Sequence, residues 1–270
     1  MLVDLHCHII PGIDDGAKDV DTALHMCRIA VEEGIGHIIA TPHYIEGELH
    51  NDYDIIQQKL GSFRNVLINN NIDISIYPGS EIFIFPQLPQ IVREGKICTL
   101  NNSRYILIEL PMMSVPDYTT EVIYSLRIDG FIPIIAHPER NMAIAEKPNL
   151  LFDLIERGAL SQINSTSITG VFGKKTKQAA ATLLRHNMVH FVSSDAHTSR
   201  GRSPRLLKSK EIIEQEIGQG AAELLFNNNV RVLKDEEISV PEPERVKNTG
   251  SFAFFVNLRR LVSGLTRQGG

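Results

Sequence analysis

Short β-branched runs alternate with helical stretches along most of this chain, and that alternation limits the available folds more than any other feature. The runs are Leu2–Leu5, His37–Thr41, Asp73–Pro78, Tyr105–Leu110, Phe131–Ala136, Leu160–Asn164 and Val189–Ser193. Between them, apolar residues recur at helical spacing. In the stretch from Asp19 to Gly34, Asp21 can cap a helix start, Leu24, Cys27 and Val31 share a face, and Gly34 can supply a left-handed stop. About seven strand-to-helix alternations without a Pro/Gly-rich break favour one α/β domain on a parallel sheet. Polar residues gather at the C-terminal ends of the runs, where a barrel of this kind builds its active site. The expected fold is therefore α/β, a distorted (β/α)7-type barrel over residues 1–230 with its site at the strand C-termini.

Other properties remove whole classes of function. A formal charge of −5, from 27 Lys+Arg against 32 Asp+Glu, lacks the basic footprint of a nucleic-acid binder. Three cysteines cannot build a disulfide framework, which makes a reducing cytoplasm the expected compartment. Residues 1–10 carry Asp4 and two histidines where a signal peptide needs apolar residues, and no apolar run has the roughly 18–20 residues of a transmembrane segment. Residues 231–250 are polar with two prolines and read as a linker. Residues 251–270 form an apolar tail with Arg259, Arg260 and Arg267, either a peripheral membrane or partner contact or an ordinary chain end.

Ten histidines in a chain without tryptophan are more simply explained by chemistry than by packing. His6 and His8 end the first run and share a face, with Cys7 turned away. Alone, such a pair is a weak signal. The second run ends in Thr41-Pro42-His43, the third leads into Gly79-Ser80-Glu81, and the fourth carries Glu109. The fifth ends in Ala136-His137-Pro138-Glu139-Arg140 and the seventh in Ser194-Asp195-Ala196-His197, while Asp14-Asp15-Gly16 follows the first. Six strand ends thus deliver an imidazole or carboxylate to one rim, enough for two or three divalent ions. Mixed nitrogen and oxygen donors without thiolate suit manganese, iron, zinc or cobalt rather than calcium, with manganese the first expectation.

In this order, H-x-H, D-D-G, T-P-H, G-x-E, a strand-borne Glu, A-H-P-E-R and S-D-A-H resemble the polymerase-and-histidinol-phosphatase (PHP) metallophosphoesterases. The fuller pattern of LHCHIIPGIDDG with GSEI, AHPER and SDAH is similar to the CpsB-type (YwqE-like) bacterial protein-tyrosine phosphatases, over roughly residues 1–230. The resemblance implies a PHP fold in which His6, His8, Glu81 and Asp195 hold one ion. It implies that Glu81, Glu109 and His137 hold a second and Asp15, His43 and His197 a third, with the choice between Asp14 and Asp15 left open by the tight turn they share. It implies hydrolysis of phosphotyrosine by a metal-activated water, with Arg140 and Arg202 as catalytic phosphate-binding groups, a role in which a planar guanidinium exceeds lysine. It also implies partners: an autophosphorylated bacterial tyrosine kinase and its substrates, in the control of capsule or exopolysaccharide synthesis.

Other readings compete. Cys98 to Arg104 satisfies C-x5-R, the minimal signature of cysteine-based tyrosine phosphatases, but Asn101-Asn102-Ser103 is turn chemistry leading into a strand rather than a phosphate cradle before a helix. The amidohydrolases share H-x-H on a first strand, although their common binuclear form bridges its ions with a carboxylated lysine where this chain offers Glu81 and Glu109. A histidinol-phosphatase-type phosphomonoesterase would use the same donors. A non-catalytic phosphotyrosine-binding regulator belongs to a different class, and the complete donor set gives no sign of a dead site. His25, His37, His50, His186 and His190 have no assigned chemistry; His186 fits a helix C-terminus and the others fit exposed helix or strand-edge positions.

Overall fold

A computed structural model of the chain describes residues 2–247, so the expected tail at 251–270 lies outside the described residues. Nine strands appear in chain order: β1 (Leu2–Cys7), β2 (Ile35–Ala40), β3 (His43–Tyr44), β4 (Ser75–Pro78), β5 (Glu81–Phe83), β6 (Tyr105–Glu109), β7 (Ile132–Ala136), β8 (Leu160–Asn164) and β9 (Phe191–Ser193). All pairings between them are parallel, in the orders β1-β2-β4 and β3-β5-β6-β7-β8-β9. The two short strands absent from the sequence reading, β3 and β5, continue β2 and β4 past a bend at Thr41-Pro42 and at Gly79-Ser80. Proline lacks the N–H to continue a ladder. At Gly79 a Cβ would come within 2.7 Å of the Ile39 side chain, so only glycine lets the strand turn there. Beyond β9, the Asp195 N–H donates to the His6 carbonyl at 2.8 Å and the His8 N–H to that of Ala196 at 2.9 Å. The two sheets thereby meet beside the end of β1, giving a distorted arrangement of seven strand positions in the expected α/β class.

Helices fill the connections. The helix expected after Asp19 spans Val20–Glu32, and its cap is Asp19 rather than Asp21, because the Asp19 carboxylate accepts the Thr22 N–H at 2.8 Å. The inner face of the ring follows from period-two alternation. Tyr105 and Leu107 share a face with Glu109, and Leu160 shares one with Gln162 and Asn164. The apolar members pack into a cluster with Ile134 and Phe191. Val232 of the last described helix, Gln219–Leu233, joins that cluster, so the base of the barrel is closed by apolar contacts and the polar members are left for the opposite end.

That last helix runs through the expected domain limit at residue 230. The described part of the expected linker is bonded along the barrel: Asp235 accepts the Arg104 N–H at 2.8 Å, Tyr105 Oη donates to Glu236 O at 2.7 Å, and the Val246 N–H donates to Asn149 at 2.9 Å. The Asp235 carboxylate, the Glu236 carbonyl and the Val246 N–H thus have partners on the domain.

His190 was expected at an exposed position and is instead fully buried, with Nδ1 accepting the Ser161 N–H at 3.0 Å. Burial holds its pKa down to about 4, against an ordinary 6.5. The folded state therefore resists a proton that the unfolded chain accepts. Stability is fully present above pH 6.5 and declines as pH falls toward 4, by an amount on the order of 3 kcal/mol from this group. Urea unfolding across that window should show the loss, and His190→Gln should flatten it.

Candidate functional site

The predicted donors meet at the C-terminal end of the ring. Three overlapping groups each bring their ligand atoms within 4.8 Å of one another: His6, His8, Glu81 and Asp195; His43, Glu81 and Glu109; and His8, Asp15, His43 and His197. Glu81 lies at the junction. Its Oε2 is 3.1 Å from Nε2 of both His6 and His8 and 3.2 Å from His43 Nδ1, and its Oε1 is 2.8 Å from His137 Nε2. His137 Nε2 also stands 3.7 Å from Glu109 Oε1, beside the second group. All nine residues singled out from the sequence are in one cluster, with His43 reaching both the second and the third group.

The turn after β1 separates the two adjacent aspartates. Asp14 Oδ2 accepts from His8 Nδ1 at 2.7 Å and from the His43 N–H at 3.1 Å, while its Oδ1 accepts the Gly16 N–H at 3.0 Å. Such a bond fixes the ring so that His8 Nε2 faces Glu81 and Asp195. Asp15 points into the mouth, with Oδ1 3.3 Å from His197 Nε2 and 3.4 Å from His43 Nε2. Gly16 permits this turn, since a Cβ there would lie 2.2 Å from the His8 carbonyl oxygen.

Two strand ends adopt backbone that non-glycine residues avoid: His137 has φ 30° and Asp195 φ 50°. Such conformations persist only where surrounding contacts enforce them. For Asp195 the enforcement comes from Asp4, a fully buried residue whose carboxylate accepts the Ser194 N–H at 2.9 Å and the Ser194 hydroxyl. Its pKa rises to about 6 because burial outweighs those bonds. β8 supplies no predicted ligand but a relay of amides. Gln162 Oε1 takes His6 Nδ1 at 2.8 Å, Gln162 Nε2 donates to Asn164 Oδ1 at 2.9 Å, and Asn164 Nδ2 donates to Asp195 Oδ2 at 2.6 Å.

Charge in the cluster favours cations. Burial alone would strip His8 and His137 of their protons, yet neighbouring carboxylates reverse this: Asp14 and Glu81 push His8 well up, and Glu81 takes His137 to about 9. Glu109 rises to about 7, first from burial and then from the nearby Glu81 charge. His43 Nδ1 is buried and makes no hydrogen bond among the described residues. Convergent lone pairs, crowded carboxylates and an orphaned imidazole nitrogen fit divalent cations, which compete for the same lone pairs as protons.

Two arginines border the cluster. Arg140 Nη1 donates to Asp195 Oδ2 at 2.8 Å, and Arg202 Nη2 donates to Asp195 Oδ1 at 2.9 Å. Both guanidinium groups lie over the half-buried Phe172 ring, at 4.6 and 5.8 Å from its centroid. Sequence reasoning missed Asp4, Gln162, Asn164 and Phe172. Placement of Gln162 and Asn164 on one face of β8 could have exposed the amide relay, whereas nothing local marks Phe172.

The C-x5-R alternative fails on geometry. Cys98 is buried, its pKa is driven to about 12 by burial, and Arg104 is paired with Asp235 at 3.0 Å. A thiol that stays protonated is a poor nucleophile. Cys98→Ser should therefore leave turnover unchanged while losing roughly 1–3 kcal/mol of stability from a buried hydroxyl; loss of turnover in the folded variant would reverse this assignment.

Comparisons with known proteins agree with this geometry. Residues 2–234 match the family model described as capsular polysaccharide synthesis, CpsB/CapC. The tyrosine-protein phosphatase YwqE of Bacillus subtilis is 39% identical over 254 residues, 94% of this chain and 100% of the relative. The tyrosine-protein phosphatase CpsB of Streptococcus pneumoniae is 29% identical over 243 residues, 88% of this chain and all 100% of that protein. A chain from the crystal structures of B. subtilis YwqE and S. pneumoniae CpsB, described as metal-dependent tyrosine phosphatases, superposes with a TM-score of 0.89 at 39% identity, covering 92% of this chain and 100% of that one. The Lactococcus lactis histidinol phosphate phosphatase, at 13% identity and a TM-score of 0.50 over 82% of this chain and 93% of that one, shares the fold.

Proposed function

This chain belongs to the CpsB/CapC family, and on that premise we propose that it is a metal-dependent protein-tyrosine phosphatase whose ligands are His6, His8, Asp15, His43, Glu81, Glu109, His137, Asp195 and His197. The observation that carries the reading is the convergence of these donors around Glu81, beside two arginines held on Asp195. The ions are two or three per chain, manganese first, with iron, zinc or cobalt as alternatives that the same donors accept. Asp14 orients His8 and is not itself a ligand.

In the reaction, water attacks phosphorus as the bond to the phenolic oxygen breaks, releasing phosphate and tyrosine. Bound divalent ions supply charge neutralisation of phosphate oxygens and acidification of that water. The chain's own residues do the rest. Arg140 and Arg202 present N–H groups at the rim, and each can offer a fork of donors to phosphate oxygens. Asp195, Asn164 and Phe172 fix where those forks point, which is the positioning that phosphoryl transfer chiefly requires. A phenolate has a pKa near ~10 and leaves with little help, so a dedicated acid is unnecessary.

The proposed natural substrate is an autophosphorylated bacterial tyrosine kinase and its targets, and the family's description, capsular polysaccharide synthesis, supports the proposed role in the control of capsule or exopolysaccharide synthesis. A reducing cytoplasm is the proposed compartment, supported by the free thiols Cys7, Cys27 and Cys98.

The test is turnover of a phosphotyrosine peptide against an alkyl phosphomonoester, with elemental analysis of the purified protein. Chelation should abolish peptide turnover and manganese should restore it. Because ligands must shed protons to bind ions, metal affinity should rise with pH through the range in which Glu109 (about 7) and His137 (about 9) titrate. Activity that survives complete metal removal would overturn the assignment, and a clear preference for the alkyl ester would move the chain to the histidinol-phosphatase class.

A further inference from the structure

Four exposed apolar side chains lie on three successive segments that follow the strand ends of the site. Met112 (39% exposed) and Met113 (66%) follow β6, Met142 (48%) follows the turn after β7, and Val171 (56%) follows β8. Main-chain and buried polar bonds hold these loops as one edge. The Met142 N–H donates to Met112 O at 2.8 Å, and the buried Asn141 side chain donates to Pro111 O at 2.7 Å and Ser114 O at 2.8 Å. Arg140 over Phe172 joins the second loop to the third. Across the mouth the character changes to carboxylate, with Asp15 64% and Glu46 48% exposed.

We propose that the apolar edge formed by Met112, Met113, Met142 and Val171 docks the residues flanking the phosphorylated tyrosine of a protein substrate and selects apolar flanks. The inference rests on the phosphatase reading above. A phosphotyrosine that reaches Arg140 and Glu109 must lay its sequence neighbours on the loops around them, and three of those loops present this edge. A second copy of the chain or a membrane seated here would instead cover the opening. Methionine is unbranched and polarizable, so the surface adapts to different apolar side chains. These four side chains offer no hydrogen bond to a flanking Lys or Glu, which would lose water against them without compensation.

The experiment compares metal-loaded wild type with the Met112→Ser/Met113→Ser and Val171→Ser variants. Each is assayed on phosphotyrosine peptides with leucine flanks or glutamate flanks and on para-nitrophenyl phosphate. Wild type should prefer leucine flanks by about tenfold in kcat/KM, the effect of burying one apolar side chain, expressed in KM. The variants should lose that preference, with a larger fall on the leucine-flanked peptide than on para-nitrophenyl phosphate. Equal falls on every substrate, or no flank preference in wild type, would overturn the docking assignment. A change in oligomeric mass with the preference retained would assign the edge to a second copy and overturn it as well. Wild type that turns over none of the substrates would sink the phosphatase reading and this inference with it. The substituted residues are exposed, so folding is not at risk, and a thermal unfolding curve checks it.

Discussion

Glu81→Gln is expected to reduce turnover by about 10³-fold or more, at the upper end of what removing one electrostatic contributor costs an active site. The substitution keeps the shape and removes the charge. That charge is 1% exposed, and its two oxygens stand within 3.2 Å of four different imidazoles. A neutral amide can offer only one oxygen, and its NH2 group has no lone pair for an ion. Metal content should therefore fall together with rate, which elemental analysis of the variant would read directly. The imidazoles report the change too. Glu81 is the group that raises His137 against the opposing effect of burial, so His137 should titrate lower in the variant. Retention of full metal content with a rate within about tenfold of wild type would show that Glu81 is not the junction of the cluster, since loss of a ligand's orienting partner alone costs 10–100-fold.

What the sequence disclosed follows from periodicity and chain order. Alternating runs revealed a parallel ring, and ring geometry placed every strand end on one rim, so His6, His8, Glu109, His137 and Asp195 could be grouped without knowing any distance. The strands β3 and β5 were invisible because two and three residues cannot carry a period, although Pro42 and Gly79 marked the bends that create them. The pairing of Asp4 with Ser194, separated by 190 residues, depends on ring closure and has no local trace. The same holds for Phe172, whose ring matters only because two arginines from other loops lie over it. His190 misled for a different reason: a histidine in the run from Met188 to Val192 can face solvent at a strand edge, but this one is buried with its neighbours, Nδ1 accepting the Ser161 N–H and Nε2 without a partner among the described residues.

Arg140→Ala should raise the barrier by roughly 3–4 kcal/mol, a loss of about 10²–10³ in kcat, if its guanidinium stabilises charge on the transferring phosphoryl group. The geometry makes two roles conceivable, since Arg140 both faces the rim at 19% exposure and bonds Asp195 Oδ2. They separate experimentally. Asp195 has independent support from Asn164 at 2.6 Å and Arg202 at 2.9 Å, and its strained backbone is set by Asp4 through Ser194. Removal of Arg140 should thus leave metal content intact while kcat falls. Arg140→Lys should recover only part of the rate, because an ammonium restores charge without the planar pair of donors. If ion loss accompanies the fall in rate and lysine restores both, Arg140 is a positioning residue for Asp195, and the phosphate clamp passes to Arg202 alone.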